Sequence, residues 1–260
     1  MQRSALRVAA DAGVSWIGGI YLVADSGDDA RPTAERDLPA LISHARRLID
    51  LAESRPKRIR YSETDHLGFM SLTFLGKQEQ HLDSMLKQLP SQDTVLIARS
   101  MLEGLWLLRW AAQVPIQRPL LWRSYSLVDD FKLLTERKGR GNAIDQGDEQ
   151  ELLRRLQTEG APFLNKAARD AVTNGVPLPI RPYVSKWYGD RKIIEIARDV
   201  GGEDHYRLLY SEFSNWHHWG PGGVAQAVSR TEEGAKYTRD SVRSSALSLA
   251  TGISTACLGR

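Results

Sequence analysis

From about residue 35 onward, apolar residues return every three or four positions along the chain, and strict alternation of apolar and polar residues runs nowhere over a convincing strand length. Such a period predicts an all-α fold, a single helical bundle with a long central buried helix. The helices are expected near 35–54, 63–88, 93–114, 119–138, 148–158, 162–174, 190–200, 203–219 and 237–257, with proline or glycine in most of the gaps. The stretch 93–114 is apolar nearly all round, the pattern of a helix enclosed by others.

The breaks between these periodic stretches have their own chemistry. Pro177, Pro179 and Pro182 exclude a helix interior, so 175–189 should run extended over the surface, anchored by Trp187 and Tyr188. Gly201-Gly202 offers a left-handed stop to one helix, and Glu203 or Asp204 can begin the next. A glycine-rich polar run over 139–149 reads as a loop, and Arg55 to Arg60 as a basic corner between helices. The expected organisation is an irregular N-terminal segment, 1–34, followed by one helical bundle domain, 35–260. There is no internal repeat.

Composition narrows the picture a little. At 260 residues, with 42% hydrophobic and 26% charged side chains, the chain can bury a sizeable core. A net charge of +3 permits a nucleic-acid partner without arguing for one. Cys257 is the single cysteine, which rules out an internal disulfide and any cysteine-based zinc site within one chain and fits a reducing, cytoplasmic setting. No His-x3-His or His-Glu-x2-His spacing occurs, so no metal and no other cofactor is expected. The uncharged run 13–24 after Arg3 and Arg7 is a poor imitation of a secretory signal because Gly13, Ser15, Gly18 and Gly19 dilute it, and no window reaches the ~20 apolar residues of a membrane span. Seven tryptophans allow a homodimer without showing one.

Candidate chemistry gathers on three helices. Arg99 and Glu103 stand four apart in the apolar stretch 93–114, on the face of Trp106 and Trp110, where they can meet as an ion pair. Desolvating two charges costs several kcal/mol each, so the pair either orients neighbouring helices or lines a functional cleft. In 119–138, Tyr125 and Asp129 are again four apart, at the rim of an apolar stripe; amphipathic filler beside a solvated acid is the plain alternative to a binding role. In 203–219, the helical step of about 100° puts Tyr210, Ser214 and His217 along one line beside the stripe Leu209, Phe213 and Trp216, with His218 turned toward the polar side. His217 is there the candidate proton carrier, against the ordinary alternative of a hydrogen-bonded structural histidine. No phosphate-loop or nucleophile-elbow motif is present.

Ala98-Arg99-Ser100-Met101-Leu102-Glu103, Tyr125 with Asp129, Trp187, and Tyr206-x3-Tyr210-x3-Ser214-x2-His217 together resemble the bacterial helical family catalogued as domain of unknown function five-six-seven-seven, over roughly residues 40–225. The resemblance implies an all-helical fold and these positions as a shared site, and nothing about substrate. More distantly the chain is similar to the HEPN-like defence and toxin proteins that cut RNA with an Arg-x4-6-His helix. It departs from that pattern because Arg207 precedes His217 by ten residues, about 15 Å of helix rise.

Two functions are therefore expected in competition. One is a metal-independent ribonuclease of toxin or phage-defence type, with Arg99, Glu103, Tyr210, Ser214 and His217 catalytic, Trp106, Tyr125, Asp129, Trp187 and His218 binding, and RNA as partner. The other is a non-catalytic helical module that binds a cognate protein or a ligand.

Overall fold

The structure is a computed structural model and describes residues 31–54, 62, 64–89, 91, 93–218, 228–231, 234–237 and 250–254. The fold is all-α, with helices α1 (Arg31–Glu53), α2 (His66–Gln88), α3 (Thr94–Ala112), α4 (Gln117–Ser124), α5 (Ser126–Gly139), α6 (Gln146–Glu159), α7 (Lys166–Thr173), α8 (Ile193–Asp199), α9 (Glu203–His205) and α10 (Ser211–His217). A short 3-10 turn covers Ala161–Phe163, and a π-helical turn, Tyr206–Tyr210, joins α9 to α10. Among the described residues two short strands follow, β1 (Val228–Thr231) paired antiparallel with β2 (Gly234–Tyr237). Four-residue strands are too short to register as alternation, which is why the hydrophobic pattern misses them.

Most of the expected helices fall within a few residues of their places, and three boundaries differ for identifiable reasons. Arg31 to Ala34 are already helical, so α1 begins inside the segment expected to be irregular; Pro39 lies inside this helix. The stretch expected as one helix, 119–138, breaks at Tyr125, which closes α4 through its N–H to Leu121 O and opens α5 with backbone at φ −65 and ψ −20. The expected helix 203–219 carries the π-turn, in which Ser211 N–H reaches Tyr206 O, five residues back. Residues 1–30, the basic run 55–60, the glycine-rich 220–223 and most of 237–257 lie outside the described residues.

The described starts and stops follow ordinary capping chemistry. Asp65 accepts from Gly68 N–H ahead of α2. Asp145 accepts from Gly147 and Asp148 N–H ahead of α6, whose first turn also holds Asp148 and Glu149 against the positive end of the helix. Asn165 caps α7 through Ala168 N–H. After α8, Gly201 adopts φ 73 and Gly202 N–H returns to Ala197 O, the expected left-handed stop.

The chain divides into two compact units: 1–62 with 71–110 and 193–260, and 63–70 with 111–192. In the first unit, α3 supplies the buried Val95, Ala98, Met101, Leu102, Trp106 and Trp110, and Ser100 is its one exposed residue, so the helix is the enclosed one that its composition announces. Leu209, Tyr210 and Phe213 bring the buried stripe of the 206–217 segment to the same unit.

The second unit is built on Tyr125, Leu127, Val128, Leu156, Phe163 and Val184. The proline-containing strap 175–189 is non-helical as expected, but bends at 180–181 and 185–186 and turns at 187–189 instead of running extended throughout; backbone bonds fix its middle, Asn165 N–H to Pro182 O and Val184 N–H to Phe163 O, both at 2.8 Å. Tyr125 Oη adds a bond to Val184 O at 2.9 Å. A core tyrosine thus ties an otherwise irregular segment to the helices.

Candidate functional site

Two constellations emerge, one in each unit. In the first, the Tyr210 phenol stands between the two charges of α3: Arg99 Nη2 donates to Tyr210 Oη at 3.0 Å, and Tyr210 Oη donates to Glu103 Oε2 at 3.0 Å. Arg99 and Glu103 therefore do not meet as the direct ion pair expected from their spacing; the phenol relays between them. The guanidinium also lies over the same ring, 4.7 Å from its centroid. Burial, and next the Glu103 carboxylate, push the Tyr210 hydroxyl up to about 12 against the opposing pull of Arg99. At neutral pH the phenol is protonated and committed as a donor, so it is not a base. Among the described residues, the buried Arg99 Nε has no hydrogen-bond partner.

Aromatic packing fixes this relay. Tyr206 and Tyr210 stack at 4.9 Å between centroids, and both lie against Trp106, at 6.0 and 5.6 Å. The chain can pass so close to the indole only because residue 202 is glycine: a Cβ there would stand 2.3 Å from Trp106 Nε1. Trp106, expected among the binding residues, is only 2% exposed and supports the tyrosines from beneath.

The histidines do not join. His217 lies seven residues beyond Tyr210, about 10 Å of helix rise, at the exposed end of α10. Its ring packs edge-on against His218, itself exposed, at 4.7 Å between centroids. Ser214 is half-buried, and its hydroxyl donates to Tyr210 O at 2.8 Å, a backbone bond that occupies the proton a nucleophile needs to give up. Of the five expected catalytic residues, Arg99, Glu103 and Tyr210 form one hydrogen-bonded chain, Ser214 touches it only through backbone, and His217 stands apart. Sequence reasoning missed a second contact on α3: Ser100 Oγ lies 3.3 Å from His81 Nε2, with the His81 imidazole lowered by burial and by Lys77.

The second unit holds an open cleft of 640 Å³. Tyr125, Asp129 and Trp187, all expected as binding residues, line it, and it adds Phe69, Trp122 and Tyr188. Arg123 and Lys186 supply positive charge. Lys132 Nζ donates to Tyr125 Oη at 2.7 Å and to Asp129 Oδ1 at 3.1 Å, and it lies 4.7 Å from the Tyr125 ring centroid. Partial burial works against this ammonium, and the bonds to Tyr125 and Asp129 outweigh it, raising its pKa. Arg123 covers the Phe69 ring at 4.9 Å and Lys186 the Tyr188 ring at 5.4 Å. Phe69 meets Trp122 at 5.8 Å, and Trp187 meets Tyr188 edge-on at 5.5 Å.

Part of this cleft was open to inference. Trp122 and Arg123 precede Tyr125 by three and two residues, and Ser126 and Asp129 follow it by one and four, so one helical neighbourhood carries five of the lining residues, with Lys132 three beyond Asp129. Phe69 comes from a distant helix, and no local signal announces it. Among the described residues no group of His, Cys, Asp and Glu could hold a metal ion, and no helix is long and apolar enough to cross a membrane.

The family of unknown function DUF5677 matches residues 80–235, which contain the Arg99–Tyr210–Glu103 relay and all of the cleft except Phe69. No curated protein and no solved structure matches the chain.

Proposed function

We propose that this chain, which belongs to the family of unknown function DUF5677, is a helical ligand-binding protein whose ligand occupies the aromatic cleft of the second unit. One observation carries the proposal: a 640 Å³ opening walled by five aromatic rings and rimmed by cations. Its volume falls in the range of about 300–1,000 Å³ typical of small-molecule sites, and it combines apolar walls with a few placed polar groups. Calorimetric titration with a panel of aromatic carboxylates, sulfonates and phosphates tests it. Binding by at least one class, lost in Trp187→Ala, is the expected result; a panel that fails to bind, or that binds Trp187→Ala equally well, refutes it.

A second proposal, cleavage of RNA at Arg99, Tyr210 and Glu103, draws support from a half-buried guanidinium and carboxylate held by one phenol. In it Arg99 neutralises the scissile phosphate and Glu103 accepts the proton of the 2′-hydroxyl as its oxygen bonds to phosphorus, giving a 2′,3′-cyclic phosphate; the P–O5′ bond breaks and the protonated Glu103 returns the proton to the departing 5′-oxygen, with Tyr210 holding both side chains in place. Total RNA incubated with the protein and with Glu103→Gln and His217→Ala separates the possibilities. Cleavage lost in Glu103→Gln supports the relay, and cleavage lost only in His217→Ala moves the chemistry to the exposed histidines. No cleavage by the unaltered protein removes the proposal.

A further inference from the structure

We infer that the cleft of the second unit recognises a nucleoside 5′-monophosphate group, either as a free nucleotide or as the phosphorylated end of a single-stranded RNA. The inference rests on the ligand-binding proposal for the same cleft and specifies its ligand. Its starting point is what already occupies the ring faces. Phe69, Tyr125 and Tyr188 each carry a cation of the protein itself within 5.4 Å of the centroid, from Arg123, Lys132 and Lys186 respectively. A cationic ligand, the usual guest of an aromatic cage, would meet like charge at three of five rings. The cleft is set instead for a neutral flat ring or for an anion.

The two indoles decide between an aliphatic and a flat guest. Trp122 and Trp187 are both half-buried on the cleft wall, each braced by a second ring, Phe69 for one and Tyr188 for the other. Braced, partly exposed indoles are stacking platforms, and stacking a base on an aromatic side chain contributes about 1–3 kcal/mol. Arg123 and Lys186 are exposed at this opening, where charge-assisted bonds to phosphate oxygens form without deep desolvation.

Asp129 supplies the third requirement. Its carboxylate is 61% exposed and bound on one oxygen by Lys132, which fixes its direction and leaves it able to accept from ribose hydroxyls or an exocyclic amine. A flat ring, hydroxyl or amino donors, and an anionic end are then all recognised in one site. An unsubstituted aromatic acid offers the first and last of these but lacks the donors; an aliphatic acid lacks the ring as well. A nucleoside monophosphate offers all three.

Calorimetry at low salt with AMP, adenosine, inorganic phosphate and a short 5′-phosphorylated oligoadenylate tests the inference. Far-UV circular dichroism should show that Lys186→Ala and Asp129→Asn fold, since both positions are exposed. The expected result is AMP binding about tenfold tighter than adenosine or phosphate, with Lys186→Ala removing that advantage and leaving adenosine affinity unchanged. Asp129→Asn should weaken adenosine and AMP alike. An oligoadenylate that binds tighter than AMP assigns the cleft to RNA ends; one that binds no tighter assigns it to free nucleotides. AMP no tighter than adenosine, or a Lys186→Ala loss shared equally by both, overturns the inference. If the aromatic panel binds while AMP and adenosine do not, the nucleotide assignment alone falls; if neither binds, the ligand-binding proposal falls with it.

Discussion

Removing one oxygen atom probes the relay in the first unit most directly. Tyr210→Phe deletes the hydroxyl that accepts from Arg99 and donates to Glu103, each at 3.0 Å, while keeping the ring that packs on Trp106 and lies under the guanidinium. No cavity opens, so the loss is that of hydrogen bonding alone. A bond to an ionised partner contributes about 1.5–3 kcal/mol, but Arg99 and Glu103 are only half-buried and water replaces part of what each loses. We therefore expect Tyr210→Phe to lower stability at neutral pH by about 2 kcal/mol in urea denaturation, with an unchanged m value. Glu103→Gln keeps an acceptor oxygen and should cost less, on the order of 1 kcal/mol. The double variant should lose less than the sum of the two, because both changes act on the same bond.

The same substitution has an alkaline signature. The folded environment moves the phenol from its ordinary 10.0 up to about 12, chiefly by burial. A phenol whose value is raised on folding holds its proton in the native state after the unfolded chain has lost it. The stabilisation is therefore complete below pH 10 and disappears as pH rises through 12. A two-unit shift corresponds to less than about 3 kcal/mol across that window. Tyr210→Phe should flatten the alkaline limb of the stability curve, and the difference titration of tyrosinate absorbance should show one late-ionising group missing. A variant within about 0.5 kcal/mol of the parent at neutral pH, with an identical alkaline limb, would refute the relay as described.

One further substitution and one titration reach other parts of the first unit. Gly202→Ala places a Cβ 2.3 Å from the rigid Trp106 indole; Gly202 has φ −106, so strain in the backbone plays no part. It should cost about 1–3 kcal/mol in urea unfolding, and no loss would mean that the tryptophan is free to move aside. Glu203 accepts from Arg198 and from Arg207 on the surface, and these bonds, Arg198 first, hold its carboxyl down to about 2. Its contribution is full above the ordinary 4.5 and fades as pH falls toward 2, so the Glu203 carboxyl carbon in an NMR titration should have a midpoint far below 4.5. A midpoint near 4.5 would mean that the two guanidinium contacts are not kept in solution.

The hydrophobic period was enough to read the helices, because burying an apolar stripe is a local demand that the chain states every three or four residues. It also placed Arg99 and Glu103 on one enclosed helix and Tyr125 beside Asp129. What it could not state was how a stripe ends or what arrives from elsewhere. Tyr210, Ser214 and His217 follow one another at helical spacing, yet Tyr210 is buried, Ser214 half-buried and His217 exposed, a gradient made by the packing around a helix end and not by angle. The phenol between Arg99 and Glu103 comes from more than a hundred positions away, so an expected ion pair became a relay. Phe69 likewise enters the cleft from a helix far upstream. The consequence for chemistry is a reversal of emphasis. Pattern alone favours a histidine-centred catalyst, because titratable residues on one face are visible in sequence. Three dimensions draw the eye to the cleft, because its braced rings and the cations lying on their faces come together only when separate segments meet.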